Sequence, residues 1–129
     1  MPRKDIQPKT LSDPRPRYAQ AIQTDGGKLL FIAGQTASDK DGKVVGKGNI
    51  KKQTEQVYAN ILAVLEEAGG SIDNLMMTTT YIVDRKYRVG YNEVRMKQYK
   101  ENSPTSTLVI VKGLAHPDYL IEIAGIAVI

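Results

Sequence analysis

Apolar and polar positions along the chain follow two periods, and the switches between them mark out the elements. Two short apolar runs, Tyr18 to Ile22 and Leu29 to Ala33, flank Thr24-Asp25-Gly26-Gly27-Lys28. A turn rich in Gly and Asp between such runs predicts a β-hairpin. Gly34 to Gly48 is polar and glycine-rich, which predicts a loop with a brief strand at Val44-Val45. Val57, Ile61, Val64, Leu65 and Ala68 then recur along one face of a helix, with Asn49 as its cap and Gly69-Gly70 as its end. Leu75 to Val83 is rich in β-branched and aromatic residues and reads as a strand. A second helix is predicted from Arg88 to Lys100, with Tyr91, Val94, Arg95, Gln98 and Tyr99 on one side and Ser103-Pro104 stopping it. Two strands close the chain, Thr105 to Val111 and Tyr119 to Val128.

The first sixteen residues hold four prolines, so residues 1–16 are read as an extended arm without regular structure. Residues 17–129 form one α+β domain in the order ββ(β)αβαββ. Two amphipathic helices need a common apolar surface, and a mixed sheet with both helices on one face supplies it. The final strand is apolar on both sides, with Leu120, Ala124, Ile126 and Val128 alternating with Ile121, Ile123 and Ile129. The face without helices is therefore expected to be covered by self-association.

Composition narrows the classes without changing this picture. A chain of 129 residues, 41% hydrophobic and 25% charged, suits one globular domain. Cysteine is absent and histidine occurs once, which removes disulfides, thiolate chemistry and multi-histidine metal sites. No secretory signal pattern or membrane-length apolar run is present, so a cytoplasmic protein that does not span a bilayer is expected. The net charge of +4 is scattered, and no nucleic-acid partner is predicted from it. No phosphate-cradling loop, nucleophile elbow or dinucleotide fingerprint occurs, so no cofactor is predicted.

Candidate chemistry is sparse. His116 sits between Ala115 and Pro117 and reads as a turn histidine. Glu122 is the only charged residue of its strand. It reads either as a desolvated carboxylate able to handle a proton or a water molecule, or as a charge that guards an edge or interface. Gly34 and Gln35 end an apolar strand, where backbone amides are available to an anion, and Tyr18 opens the strand before it.

These segments resemble the Rid family, the YjgF-type reactive-intermediate deaminases also known as L-PSP endoribonucleases. The likeness runs through Tyr18-Ala19-Gln20-Ala21, Leu30 to Gln35, Gln53 to Gly70, Thr79 to Asp84, Tyr91-Asn92, Pro104 and Ile121 to Ala127. It implies a chorismate-mutase-like subunit and a homotrimer with small-molecule clefts between subunits. It also implies hydrolysis of imines and enamines to the keto acid and ammonia. The family's tyrosine, glycine, asparagine and glutamate fall on Tyr18, Gly34, Asn92 and Glu122. Its carboxylate-binding arginine falls on Ser106, with Thr107 beside it. Losing such a charged partner costs on the order of 2 to 5 kcal/mol, so poor turnover of 2-imino acids is expected unless another cation, Arg17 being the nearest in sequence, takes over. A non-catalytic binding trimer and an endoribonuclease or translation inhibitor are the alternative functions.

Overall fold

The computed structural model describes residues 3–129. β1 (Arg3–Ile6) and β2 (Ala21–Thr24) form a small antiparallel sheet. β3 (Leu29–Gln35), β4 (Leu75–Ile82), β5 (Thr105–Ile110) and β6 (Ile121–Val128) form the main sheet in the order β3-β6-β4-β5. All its pairs are antiparallel except β4 with β5, which run parallel because α2 (Arg88–Gln98) crosses between them.

α1 (Ile50–Glu67) begins and ends on local signals. Asn49 Oδ1 accepts the Lys52 N–H at 3.0 Å. Past the last turn, Gly69 takes φ 85°, and the Gly69 and Gly70 N–H groups donate to Glu66 and Leu65 carbonyls at 3.0 and 2.8 Å. That is a Schellman ending, which satisfies two otherwise orphaned carbonyls. Val57, Tyr58, Ile61 and Leu65 of α1 and Tyr91 of α2 are buried against Ile32, Ile82, Ile121 and Ile123 of the sheet. Both helices thus lie on one face, and the predicted α+β architecture holds.

Three expectations are corrected. The two runs around Gly26-Gly27 do not form a hairpin: β2 pairs with β1, and β3 pairs with β6. The reciprocal bonds Lys28 N–H to Ile129 O (2.7 Å) and Ile129 N–H to Lys28 O (2.9 Å) fix the start of β3 on the chain terminus instead. Within the arm, Arg3–Ile6 is a strand, since the prolines lie outside it and its ladder partner β2 was left without one by β3. The brief strand at Val44-Val45 reduces to one bridge, Ser38 to Val44.

Gln53 joins the helix layer to the β5–β6 connection. It is fully buried, its Nε2 donates to Asp118 O (2.8 Å) and Gly46 O (3.2 Å), and its Oε1 accepts the Leu120 N–H at 2.9 Å. Gln53→Leu keeps the volume but strands a buried donor and carbonyl acceptors, each at about 1 to 3 kcal/mol. A loss of roughly 3 kcal/mol is expected, read as a lower denaturant midpoint with an unchanged slope at fixed protein concentration.

The face opposite the helices carries Leu29, Phe31, Met77, Ala124 and Ile126. Phe31 is 72% exposed there, Leu29 64% and Met77 44%. Phe31, Met77, Thr79, Ala124 and Ile126 line a shallow hollow of about 240 Å3 on it. Among the described residues no helix is long and apolar enough to cross a membrane.

Candidate functional site

The sequence-derived site residues fall into two groups on one chain. The first surrounds a cavity of about 170 Å3 between the start of β5, α2 and the segment before β2. Hydrogen bonds to backbone carbonyls bring these pieces together. Ser103 Oγ donates to Pro16 O at 2.6 Å, the Ala19 N–H donates to Pro104 O at 3.3 Å, and Arg3 Nη2 donates to Ser103 O at 2.6 Å. Arg17 and Tyr18 are thereby clamped beside the first residues of β5. Ser106 and Leu108 line the cavity from β5, and Arg88, Tyr91, Asn92 and Arg95 line it from α2. Tyr18, Asn92 and Ser106 therefore do come together.

The second group lies on the strand face that the helices leave open. β3 departs from ladder register with β6 between Ile32 and Gln35, which leaves Ala33 and Gly34 in a bulge. There Gly34 lies against the Glu122 carboxylate so closely that a Cβ on it would stand 2.8 Å from the carboxyl carbon. Only glycine leaves the carboxylate that position. Glu122 is half-buried, opposite Tyr81 of β4. Among the described residues no Lys or Arg forms an ion pair with it.

Strand alternation separates Thr107 from Ser106. Ser106 opens on the cavity, whereas Thr107 is exposed and pairs with Thr79, a residue of the open-face hollow. The joint use of both side chains on one ligand group does not occur within one subunit. His116 occupies an exposed turn, where its Nδ1 accepts the Asp118 N–H at 3.0 Å, and Gln35 Nε2 donates to Ala33 O at 3.1 Å. Neither residue belongs to the two groups.

Sequence reasoning named Arg17 as a possible cation but missed Arg88 and Arg95, which line the same cavity. Arg95 is 3% exposed, on the buried stripe of α2 that also carries Tyr91 and Val94. A basic residue on the buried stripe of an amphipathic helix was the available signal, since arginine is rarely buried without a partner.

Comparison with known proteins gives a consistent match. The family profile described as Endoribonuclease L-PSP matches residues 9–129. A RutC family protein of Pyrococcus horikoshii is 44% identical over 111 residues, covering 85% of each chain. A Rid family protein of unknown function from Yersinia pestis, YyfB, superposes with a TM-score of 0.91 at 29% identity over 100% of both chains. RidA from an Antarctic Psychrobacter superposes with a TM-score of 0.74 at 28% identity, covering 98% of this chain and 99% of that one. The subunit fold is the chorismate-mutase-like fold of these relatives.

Proposed function

Because this chain belongs to the endoribonuclease L-PSP family, the Rid or YjgF type, we propose that it hydrolyses small reactive imines or enamines in clefts between subunits of a homotrimer. The observation that carries this reading is the placement of Glu122 against Gly34 on an apolar face that a single chain leaves exposed. When that face meets a second copy, the lone carboxylate enters a shared, water-poor crevice. The Tyr18, Asn92 and Ser106 cavity of the neighbouring copy then completes the site. Each subunit supplies one half.

The chemistry needs no cofactor. A water molecule held by Glu122 loses a proton to the carboxylate as its oxygen attacks the C=N carbon, giving a carbinolamine. The nitrogen takes the first proton back from the Glu122 carboxyl and the second from the carbinolamine hydroxyl by way of the same carboxylate, the C–N bond breaks with its electron pair going to nitrogen, and ammonia leaves as the carbonyl forms. Gly34, in the bulge, keeps the space beside the carboxylate free, and Tyr18 and Asn92 offer hydrogen bonds to the substrate. A cavity of about 170 Å3 amounts to the volume of roughly five or six water molecules, which suits a metabolite of a few non-hydrogen atoms. With Ser106 in place of arginine, any anionic end of the substrate has to be held by a cation from elsewhere in the chain.

The direct test is ammonia release from freshly generated small imines by the purified protein. Gly34→Ala sharpens it, because the added methyl displaces the flexible end of Glu122 and leaves the exposed bulge backbone in place. Turnover is expected to fall about tenfold or more, since the lost contribution is part of a general-base effect of 10² to 10⁴. Thermal unfolding should change little. Background-level release from every imine by the unsubstituted protein would favour the second reading, a trimer that binds small metabolites without turning them over. The serine at position 106 is the feature that supports that alternative.

A further inference from the structure

The cavity beside Ser106 is walled by three guanidinium groups, Arg17, Arg88 and Arg95, and no carboxylate lines it. Arg17 and Arg88 are exposed and solvated, but Arg95 is 97% removed from water without an ion-pair partner among the described residues. Its Nη1 donates to Met96 Sδ at 3.3 Å, its central carbon lies 5.2 Å from the Tyr99 ring centroid, and its Nε and Nη2 are buried with no acceptor among the described residues. A thioether is a weak acceptor and an aromatic face is a partial one, so neither neutralises the charge. A buried, uncompensated cation is costly to the fold, and its natural complement is an anion brought in from outside.

The identity of the free atoms narrows that anion. Nε and Nη2 form one edge of the guanidinium, the fork that takes both oxygens of a carboxylate in parallel hydrogen bonds. Arg95 lines the cavity, and the one hydrogen bond its side chain makes among the described residues is the weak one to Met96. Ser106 and Asn92, on the same cavity, offer neutral hydrogen bonds to the rest of a small ligand.

We propose that Arg95 is the anion-binding residue of this cavity and that its ligand carries a carboxylate. The charge absent at position 106 then comes from α2, so Ser106 alone does not exclude acidic substrates. The proposal deepens the imine-hydrolase reading by naming the charged end of its substrate, and it depends on that reading only where turnover is measured.

Calorimetric titration of the full chain tests it, with pyruvate as the carboxylate probe, acetone as its neutral counterpart and inorganic phosphate as a tetrahedral anion. Pyruvate should bind saturably, acetone should not, and phosphate should bind more weakly than pyruvate. Arg95→Met should weaken pyruvate binding about thirty-fold or more. Arg95→Lys should recover only part of it, because an ammonium keeps the charge and lacks the fork. The melting temperature of unliganded Arg95→Met should be equal to or above that of the parent, since an unpaired buried charge has been replaced by an apolar chain of similar length. Pyruvate binding no better than acetone, phosphate binding as tight as pyruvate, or unchanged affinity in Arg95→Met would overturn the assignment. So would a misfolded or disassembled Arg95→Met protein, which would mark the arginine as a structural partner of another chain. Turnover of uncharged imines without pyruvate binding would remove the assignment and leave the hydrolase reading intact. Arg95-dependent pyruvate binding without any turnover would do the reverse.

Discussion

Phe31→Asp is expected to turn the proposed trimer into a folded monomer and to abolish turnover in the same step. Phe31 stands on the edge strand β3 of the exposed strand face, paired with Ile126 of β6 and rimming a hollow with Met77 and Ala124. At 72% exposure it contributes little to the core of its own chain, so its replacement should leave the fold and the far-ultraviolet dichroism intact. Across an interface the same ring is an aromatic anchor, of the kind whose truncation costs 2 kcal/mol or more. An unpaired carboxylate buried there adds a desolvation penalty of several kcal/mol, and in a trimer the defect is repeated at every contact. Sedimentation at micromolar concentration should report a species of one chain. Activity should go with assembly, because Glu122 with Gly34 and the Tyr18–Asn92–Ser106 cavity occupy separate places on one subunit, and in the proposed trimer they meet between two. A Phe31→Asp protein that stays trimeric would show that another surface holds the copies together. One that is monomeric yet fully active would show that a single chain carries a whole site.

What could be read from sequence was local. The cap at Asn49, the apolar positions 57, 61 and 65, and the glycine pair after Ala68 each act within a few residues of themselves, and α1 starts and ends on them. The same holds for β4, β5 and β6, whose runs of branched residues are long enough to identify a strand without its partner. The pairing of β3 was not legible, because Gly26-Gly27 allows a turn but a turn does not compel the strands on either side to meet. Burial of β3 against β6 and the ladder between Lys28 and Ile129 decide it, over a separation of about a hundred residues. The strand at Arg3–Ile6 was hidden for a related reason, its only ladder partner being a strand assigned elsewhere.

The site divides along the same line. Glu122 drew attention as a charge in an apolar strand, a signal carried by its immediate neighbours. That Gly34 lies against it depends on a bulge in β3, and bulges leave no dependable mark in a single sequence. Ser106 and Thr107 look interchangeable as text, yet the two-residue period of β5 sends them to opposite faces. Arg95 was read as one position on a helical stripe. The burial of its Nε and Nη2 without an acceptor among the described residues is a property of packing between α2, Tyr99 and the cavity, and no spacing rule expresses it.

Glu122→Gln should separate the chemical role of the acid from any structural one. The amide has nearly the same shape, so the contact with Gly34 and the packing of β6 between β3 and β4 are retained. What is lost is the negative charge and the ability to accept a proton from water. If Glu122 is the base, kcat for imine hydrolysis should fall by about 10² to 10⁴, the usual span of a positioned proton acceptor, with a much smaller change in KM. Stability should move the other way or not at all. No cation pairs with Glu122 among the described residues, and a lone carboxylate on a face that the proposed trimer removes from water is a burden to assembly. The melting temperature of Glu122→Gln at fixed concentration should therefore equal or exceed that of the parent, a sign that the acid is kept for turnover at some expense of stability. A structural charge predicts the opposite pair of results, with activity retained per folded molecule and a lower melting temperature or a weaker trimer. Unchanged kcat in a stable Glu122→Gln trimer would remove the acid from the mechanism and, with it, the hydrolytic reading of the cleft.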